Sequence, residues 1–461
     1  MSSNKHYTER RLNLADMLPG IPVLLLSGCD RYRNYPAFPF PFRASSHYMF
    51  FGGPNEPDNF LLILNGNATL YRPVLHPDDE IWHGPHESDE ELKKRYALTE
   101  IKTHEELPED LSTLGLDEVL SLPSPDAKSN QMIEKFLGRV PNLDDDPDVD
   151  LVDAMMELRR CQDEAAQESI RRAVAASAEL QREVMAACAP GVTERELRGA
   201  FDHKKAAEGW AASFQPIISV AGEVLHNPHY RHTLSADDLL LVDCGAEIED
   251  GYVGDLTRTY PVDGKFSESQ KAIYDIVDAA RAKAVSMVAP GAHFADLHKA
   301  ASLVIAEGLV DLGILKGEAE KLVEEGVHAL FFCHGLGHLL GLDAHDMEDF
   351  GDRIGYEEGT ERSKQFGLSN LRLSRELEPG MVVTIEPGYY TVPALLNGDL
   401  GKKFEAYLDR DVLSKYKDVR GIRIEDVVLV TEDGHENLSK DLPTASDEIV
   451  KLIGSRRTAS V

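Results

Sequence analysis

Residues 239–262, LLLVDCGAEIEDGYVGDLTRTYPV, have the pattern of a β-strand, a turn and a second β-strand. The apolar run of the first strand leads into Asp243, and the second strand carries Asp255. Asp250 and Gly251 between them are turn-forming residues. A buried carboxylate is costly unless it is paired, hydrogen-bonded or bound to a metal ion. The rest of the chain must therefore indicate which of these accounts for the two acidic groups.

The two carboxylates are predicted to lie close together. A hairpin centred on Glu249 places Asp243 and Asp255 nearly opposite each other, and cross-strand neighbours share one face of a sheet. Like charges at that separation raise one pKa strongly unless a cation lies between them. A mirrored pair favours a metal site over two unrelated turn or cap residues.

Residues 331–346, FFCHGLGHLLGLDAHD, are rich in histidine. A single histidine in such an apolar segment is most often a hydrogen-bonded core residue. His334, His338 and His345 instead occur within twelve positions, which favours a site. The HExxH pattern of zincin metalloproteases is absent, so that arrangement is excluded.

Two glutamates lie in apolar, β-branched strands, Glu386 in TIEPG and Glu425 in RIED. Each could be paired with an arginine, and Arg423 is available. Together with the two aspartates they carry four negative charges, which two divalent cations would balance, with neutral His338 as a fifth ligand. An oxygen-rich set of this kind suits Mn²⁺ or a similar ion better than a thiolate-loving metal.

A two-metal site of this kind activates a water molecule and stabilises a tetrahedral intermediate, which is chemistry suited to amide hydrolysis. The sequence contains neither a GxSxG nucleophile elbow nor a phosphate-binding P-loop, so the competing hydrolase patterns are missing.

The composition restricts the partners and the cellular compartment that we expect for the protein. The 461 residues carry a formal net charge of −32, which disfavours nucleic acid and anionic membranes as partners. The start MSSNKHYTERRLNLADM lacks the apolar region of a signal peptide, and the longest apolar runs are too short to span a bilayer. Five scattered cysteines without a CxxC pair fit a reducing compartment. We expect a cytoplasmic protein without nucleic-acid or membrane partners.

Two domains are predicted. Residues 1–150 combine strand-like runs (PVLLLSG, HYMFFGG, NFLLIL, ATLYRP) with a helical segment, SDEELKKRYAL, and end in the linker-like PNLDDDPDVD. Residues 151–188 are dense in helix formers without Gly or Pro, which predicts one or two helices at the start of a domain over 151–461. The tail SRRTASV is expected to fray.

A short repeat indicates duplication within the second domain. APGVTEREL begins at Ala189 and APGAHFADL at Ala289, and each lies between helix-like segments. Thr193 and Glu196 form a capping-box pattern at a helix start. The repeat suggests a duplicated α+β domain, whereas the alternative is that Pro-Gly is simply a common turn.

The order Asp, Asp, His, Glu, Glu, carried on VDCGAE, GDLTRTYP, HGLGHLLGLDAHD, TIEPGYY and GIRIEDVVLVTEDG, resembles the pita-bread (M24) metallopeptidases. Within them it is similar to the aminopeptidase P and prolidase branch, over about residues 150–445. FRASSHYMFFGGPNEPDNFLLIL is similar to the amino-terminal domain of that branch. The resemblance implies an α+β pita-bread catalytic domain at 151–461 and a smaller α/β amino-terminal domain at 1–150.

The resemblance also implies roles for the five candidate ligands of two Mn²⁺ or similar ions. Asp243 would chelate one ion, His338 and Glu386 would serve the other, and Asp255 and Glu425 would bridge them. Glu386 would also take a proton from a water that bridges the ions and pass it to the leaving nitrogen.

Other residues are implied on the substrate side. His226, in GEVLHNPHY, and His345 would hydrogen-bond the scissile carbonyl, while His334 would line the pocket. Arg423 would orient Glu425 as a supporting residue. Trp82, in EIWHG, matches a loop that in relatives can reach a neighbouring active site, although an isolated Trp is also a common core anchor.

The implied reaction is hydrolysis of the Xaa-Pro bond at the start of peptides or in dipeptides. Proline amides lack an N–H group, which ordinary peptidases need. A dipeptidase also needs a cation for the free proline carboxylate, and Arg372 lies where prolidases place such an arginine. Arg375 could serve an aminopeptidase instead, or Arg372 could pair with Glu376 on the surface. Strict dipeptidase and aminopeptidase therefore both stay open.

Two other classes remain as alternatives, a creatinase-like hydrolase and a non-catalytic pita-bread binding protein. Proteins of both kinds typically lack the metal ligands, whereas this chain keeps all five candidates. The resemblance further implies a homodimer or homotetramer formed through the amino-terminal domain.

Overall fold

The computed structural model describes residues 4–453 and divides the chain into two compact units, Met1–Arg160 and Cys161–Val461. The division lies ten residues after the predicted domain start at residue 151. Residues Val149–Arg160 form one helix of the first unit, because its buried Leu151 and Met155 belong to a face that packs within that unit. The predicted frayed tail, 455–461, lies outside the described residues.

The described part of the amino-terminal unit is built from helices around one mixed sheet. Its helices are α1 (Lys5–Met17), α2 (Ser46–Phe50), α3 (Asp79–His83), α4 (Asp89–Tyr96), α5 (Leu107–Leu114), α6 (Ala127–Leu137) and α7 (Val149–Arg160), and its strands are β1 (Val23–Leu26), β2 (Phe60–Leu64), β3 (Asn67–Arg72) and β4 (Glu100–Thr103).

The sheet has the order β1-β2-β3-β4. Strands β1, β2 and β3 are antiparallel neighbours, whereas β3 and β4 are parallel. Leu24, Phe60 and Tyr71 on the strands pack with Leu107 and Ile133 of the helices in one buried cluster. The alternating strand and helix segments of the sequence therefore form the predicted α/β domain.

One strand prediction in this unit is wrong. The segment HYMFFGG, residues 47–53, lies largely in helix α2 and the turn after it, not in a strand. All five residues of α2 are buried. A short run that is buried on every side carries no periodicity, so its sequence does not distinguish a strand from a helical turn.

The described part of the second unit contains more elements. Its helices are α8 (Glu164–Ala187), α9 (Glu194–Ala207), α10 (Glu268–Met287), α11 (Phe294–Asp311), α12 (Ala319–Glu325), α13 (Asp352–Gly355), α14 (Pro393–Asn397), α15 (Asp399–Lys403), α16 (Arg410–Leu413) and α17 (Ser446–Ile449). Its strands are β5 (Ala211–Ala212), β6 (Ile217–Ser219), β7 (Leu239–Cys244), β8 (Ala246–Glu247), β9 (Leu256–Pro261), β10 (Val382–Ile385), β11 (Gly388–Tyr390), β12 (Gly421–Arg423), β13 (Asp426–Thr431) and β14 (Gly434–Asn437).

These strands form small antiparallel sheets. Two have three strands, in the orders β6-β7-β9 and β10-β13-β14, and two are the pairs β11-β12 and β5-β8. The long helices α8 to α11 precede the two larger sheets in the chain, in two pairs.

The two Pro-Gly repeats have the same backbone structure. The Gly191 N–H donates to the Leu234 carbonyl at 2.8 Å, and the Gly291 N–H donates to the Leu377 carbonyl at 2.9 Å. Both glycines have left-handed φ angles, 85° and 81°. In the first copy Thr193 closes the predicted capping box. The repeat therefore marks two corresponding halves, each with a helix pair followed by a sheet.

The register of the carboxylate hairpin differs from the prediction. Asp243 pairs with Thr257, and Asp255 lies two positions nearer the turn, so the carboxylates are diagonal neighbours rather than opposite each other. The pairing of Glu247 with Val253 centres the turn one residue later than expected. Because strand side chains alternate with period two, the two aspartates still occupy one face.

Within residues 4–453, no helix combines the length and the apolar character that crossing a bilayer requires.

A buried ion cluster holds strand β13 of the second half to strand β9 of the first and to helix α10 of its own half. Arg258 donates to Asp426 Oδ1 at 2.9 Å, and Arg281 donates to Asp426 Oδ2 at 2.7 Å. Burial by itself raises the pKa of Asp426, but the charges of Arg258 and Arg281 outweigh it and bring the pKa below its ordinary value. The aspartate therefore stays ionised and pairs with both arginines.

Replacing Asp426 with Ala leaves Arg258 buried without its carboxylate, and we expect a loss of about 3–5 kcal/mol in the free energy of unfolding. Urea unfolding followed by fluorescence measures it. The control Asp275→Ala removes the exposed pair with Lys271, which contributes about 0.5 kcal/mol. Equal urea midpoints for Asp426→Ala and the parent would contradict this assignment.

Candidate active site and metal centre

A cavity of about 650 Å³ lies within the carboxy-terminal unit. It gathers side chains from both halves of that unit. The predicted site residues that line it are His226, Asp243, Asp255, His334, His338, His345, Arg372, Glu386, Arg423 and Glu425. The eleventh predicted residue, Trp82, lies on α3 of the amino-terminal unit with 77% of its surface exposed and is not among the lining residues.

The four carboxylates all stand at strand ends. Asp243 is near the end of β7, Asp255 directly precedes β9, Glu386 directly follows β10, and Glu425 lies between β12 and β13. Ile385 pairs with Asp426, so continuing that register sets Glu386 opposite Glu425. The strand ends of the two halves thus direct acidic side chains into one cavity.

Three of the candidate ligands form a compact group. Ligand atoms of Asp255, His338 and Glu425 all lie within 4.8 Å of one another, and all three residues are buried. His338 Nε2 is 3.7 Å from Asp255 Oδ2 and 3.6 Å from Glu386 Oε1. These separations leave room for an ion between the atoms.

The tautomer of His338 suits metal binding. Its Nδ1 is 3.0 Å from the Leu339 carbonyl, which can only accept, so Nδ1 carries the proton. The Nε2 lone pair therefore points towards the carboxylates. Burial lowers the pKa of His338 well below its ordinary value and keeps the ring neutral. A neutral imidazole is the form that binds a metal.

Asp243 provides a further indication that these residues suit a cation. Its Oδ2 accepts from Arg423 at 2.6 Å, whereas its buried Oδ1 has no hydrogen-bond partner within the described part of the chain. A buried, unpartnered carboxylate oxygen is costly unless an ion completes it.

The pKa values of the other three carboxylates also indicate that these groups need a cation. Burial, followed by repulsion from the neighbouring carboxylates, raises the pKa of Asp255 and of Glu425 well above ordinary values. Burial raises the pKa of Glu386 to about 8, even though Arg423 opposes this shift. Without cations these groups would hold protons, so the donor set fits divalent metal ions.

Arg423 has a different carboxylate partner from the one implied by the sequence. It donates to Asp243 directly and to Thr257 Oγ1 at 3.1 Å, and Thr257 Oγ1 in turn donates to Glu425 Oε2 at 2.9 Å. Its effect on Glu425 is therefore relayed by a threonine. Sequence reasoning missed Thr257, although its position two residues after Asp255 puts it on the same strand face.

A hydrogen-bond chain fixes His334. Arg423 donates to the Tyr390 hydroxyl at 2.9 Å, and that hydroxyl lies 2.8 Å from His334 Nε2. His334 Nδ1 is 2.8 Å from the Gly335 carbonyl and must donate to it, so Nε2 accepts the tyrosine proton. Both ring nitrogens are occupied, and His334 offers the cavity only its ring surface. Tyr390, too, was missed from the sequence.

His226 lies on a loop that a buried glutamate holds in place. Glu194 is fully buried at the start of α9 and accepts from the Val220 N–H at 2.9 Å and from the Arg231 and His232 N–H groups at 2.8 and 3.0 Å. One carboxylate thus closes both ends of the loop, while burial lowers the pKa of His226. Sequence reasoning assigned Glu194 no role.

His345 and Arg372 share one carboxylate. The His345 ring stacks on His338 with centroids 4.0 Å apart, and its Nδ1 is 3.0 Å from Glu348 Oε1. Arg372 donates to Glu348 Oε2. The surface pair between Arg372 and Glu376, considered from the sequence, is therefore replaced by a pair with Glu348.

Two further arginines lie near Arg372 in the sequence, and only one of them lines the cavity. Arg375, the alternative to Arg372, donates to the Ile354 carbonyl at 2.9 Å and is not among the lining residues of the cavity. Arg362 does line the cavity and pairs with Asp352. No motif marks Arg362, which lies in the irregular segment 357–367.

Comparison with known families identifies the class. The profile of metallopeptidase family M24 matches residues 168–432, and that of the aminopeptidase P N-terminal domain matches residues 7–119. The chain therefore belongs to metallopeptidase family M24. The predicted α+β architecture, with a smaller amino-terminal domain, is confirmed.

Individual relatives match over nearly the whole chain. The Xaa-Pro aminopeptidase of Escherichia coli strain K12 is 31% identical over 473 residues and covers 99% of both chains. The human Xaa-Pro dipeptidase is 32% identical over 449 residues, covering 93% of this chain and 88% of the relative. The solved structure of aminopeptidase P from E. coli with the inhibitor Pro-Leu is similar with a TM-score of 0.80, at 28% identity and 99% coverage of both chains.

The raised carboxylate pKa values predict how metal removal affects stability. A carboxylate whose pKa is higher in the folded than in the unfolded state loses stability as the pH rises between the two values. We expect the melting temperature of chelated protein to fall between about pH 5, just above the ordinary carboxyl pKa, and the Glu386 value of about 8. Added MnCl₂ should remove most of that fall.

Differential scanning fluorimetry across this pH range, with chelator or with MnCl₂, measures the difference. The variant Glu425→Gln, which lacks one of the titrating groups, should show a smaller fall when chelated. Parallel curves for chelated and metal-supplied protein would contradict the metal assignment.

Proposed function

We propose that the protein is a metal-dependent exopeptidase that hydrolyses the Xaa-Pro bond at the amino terminus of peptides or in Xaa-Pro dipeptides. The observation that carries this proposal is that all five candidate metal ligands of an M24 peptidase line one cavity. The names of the E. coli and human relatives support the bond specificity. A non-catalytic binding protein is disfavoured because every ligand is retained.

The ligands proposed for two divalent ions, with Mn²⁺ favoured by their oxygen-rich chemistry, are Asp243, Asp255, His338, Glu386 and Glu425. Bound there, the ions would supply Lewis-acid chemistry, which lowers the pKa of water and polarises a carbonyl. The four carboxylates balance the charge of two such ions, and the neutral His338 ring adds a ligand without adding charge.

Glu386 is the proposed proton carrier. Its side chain keeps 18% of its surface exposed, whereas those of His338 and Asp255 keep 3% and 7%. It is therefore the ligand best placed to meet both water and substrate. In this role it takes a proton from the attacking water and delivers it to the proline nitrogen as the C–N bond breaks.

Substrate positioning is proposed to fall to His226 and His345, which would hydrogen-bond the scissile carbonyl and stabilise its developing charge. Glu348 contacts the His345 ring before substrate arrives, and Glu194 fixes the backbone of the loop that carries His226. Apolar residues of the same cavity, including Ile217 and Leu225, can accept a proline ring.

A strict Xaa-Pro dipeptidase is the second candidate, because Arg372 lines the cavity and could bind the free carboxylate of a dipeptide. A charged hydrogen bond contributes about 1.5–3 kcal/mol. If the protein is such a dipeptidase, Arg372→Ala should lower kcat/KM for Xaa-Pro dipeptides by about 10- to 150-fold and change that for Xaa-Pro-Yaa tripeptides by less than about threefold.

Steady-state assays with MnCl₂ measure both substrates, with matched Xaa-Ala peptides to test the requirement for proline. The control Lys364→Ala removes an exposed cation from the same segment and should change neither value. Equal losses on both substrates would remove Arg372 as a carboxylate ligand, and equal cleavage of Xaa-Ala peptides would refute the proline specificity.

We also propose a cytoplasmic homodimer or homotetramer that binds neither nucleic acid nor membranes. Cys29, Cys244 and Cys333 are free thiols, which supports a reducing compartment. The amino-terminal unit exposes Tyr35 and Phe38 on a segment, residues 31–43, that has three arginines and no acidic residue in a chain of net charge −32. An apolar, basic surface of this kind suits association with an acidic copy of the same chain.

Sedimentation velocity tests the assembly. We expect a mass of two or four chains for the parent and a monomer for the double variant Tyr35→Ser, Phe38→Ser, while Val74→Ser, at another exposed apolar position, should leave the mass unchanged. Trp82 is proposed to contact a neighbouring copy in this assembly. A monomeric parent would refute the proposal.

A further inference from the structure

Glu348 is a polar residue that no motif predicted, and it contacts two residues that line the cavity, His345 and Arg372. Its two carboxylate oxygens bind different partners, Oε1 the His345 ring at 3.0 Å and Oε2 the Arg372 guanidinium. One carboxylate therefore links a residue placed at the scissile bond to the residue placed at the end of a dipeptide.

The backbone holds Glu348 in this position. It begins a 3₁₀ turn, Glu348–Phe350, and the preceding residue, Met347, is buried with a left-handed φ of 59°. For a residue with a side chain this conformation costs roughly 1–2 kcal/mol, so the surrounding packing must enforce it. Glu348 is not a freely rotating surface glutamate, since 28% of its side chain is exposed.

All three arginines that line the cavity are paired with carboxylates. Arg372 pairs with Glu348, Arg362 lies 3.2 Å from both Asp352 oxygens through its Nε, and Arg423 pairs with Asp243. The free carboxylate of a dipeptide would therefore meet no uncompensated arginine there. It would have to share Arg372 with Glu348, and two carboxylates on one guanidinium repel each other.

A longer peptide meets no such penalty. Its proline carbonyl is part of an amide, which is neutral and can accept from Arg372 without displacing Glu348. The pairing therefore weakens binding of dipeptides selectively, whereas the contact of Glu348 with His345 affects all substrates alike.

We propose that Glu348 is a specificity-determining residue that neutralises Arg372 and so favours Xaa-Pro peptides of three or more residues over Xaa-Pro dipeptides. This inference rests on the proposed Xaa-Pro hydrolysis and names its preferred substrate length. Glu348 acts through Arg372 and is a positioning residue.

The test compares a free dipeptide, Xaa-Pro, with its neutral amide, Xaa-Pro-NH₂, in protein supplied with MnCl₂. In the parent protein, kcat/KM should be higher for the amide. In Glu348→Gln the ratio of kcat/KM for the dipeptide to kcat/KM for the amide should rise about tenfold, because a charged competitor is removed. A tenfold change corresponds to about 1.4 kcal/mol. We expect the change to appear in KM. Losses through His345 are common to both substrates and cancel in the ratio.

Two further variants complete the test. In the double variant Glu348→Gln, Arg372→Ala the gain should vanish, because the effect requires the arginine. The matched control Glu361→Gln removes an exposed carboxylate from the segment between Glu348 and Arg372 and should leave the ratio unchanged. If Glu348→Gln is too slow to assay, calorimetry with proline and prolinamide gives the same ratio from binding alone.

An unchanged or lower ratio in Glu348→Gln, or a gain that persists without Arg372, would overturn the role of Glu348. A parent protein that prefers the free dipeptide would overturn it as well. Failure of the parent to cleave any Xaa-Pro substrate with MnCl₂ present would instead refute the proposed function, so the two failures are distinguishable.

Discussion

Mutual repulsion among buried carboxylates is the constraint on which the rest of the catalytic unit depends. Asp243, Asp255, Glu386 and Glu425 come from four strand ends and share one cavity, where burial makes each negative charge costly. Only one of them, Asp243, has an arginine in direct contact within 3 Å in the described structure. The arrangement therefore fits bound cations, and a candidate metal site is its physical consequence.

The duplicated fold explains how the carboxylates meet. Each half supplies a helix pair and then a sheet, and the two Pro-Gly turns are fixed by equivalent backbone hydrogen bonds. The first half contributes the two aspartates, and the second contributes His338 and the two glutamates. Neither half holds a complete donor set. The buried cluster of Arg258, Asp426 and Arg281 maintains this relation between the halves beside the ligands themselves.

A recurring feature of the cavity wall is that a second polar group fixes each group that could meet substrate. Glu194 closes the loop of His226, Glu348 holds His345, and Tyr390 holds His334. Side chains fixed before binding lose less entropy when substrate arrives. These supports also restrict what each residue can do: both ring nitrogens of His334 are hydrogen-bonded, and Glu348 already balances the charge of Arg372.

The sequence alone determined the α+β architecture, the repeat and the residues that gather in the cavity. These features were predictable because they are local. Turn residues, capping boxes and carboxylates in apolar strands are each recognisable from a few consecutive residues. The helix at HYMFFGG, the hairpin register and the partners of Arg423 and Arg372 were decided only by the tertiary structure. Each depends on contacts with distant segments, such as the pairing of Arg423 with Asp243 across 180 positions. Several carboxylates are chemically equivalent partners for each arginine, and tertiary packing determines which one is close enough to pair. The separation of two residues in the sequence does not predict that pairing.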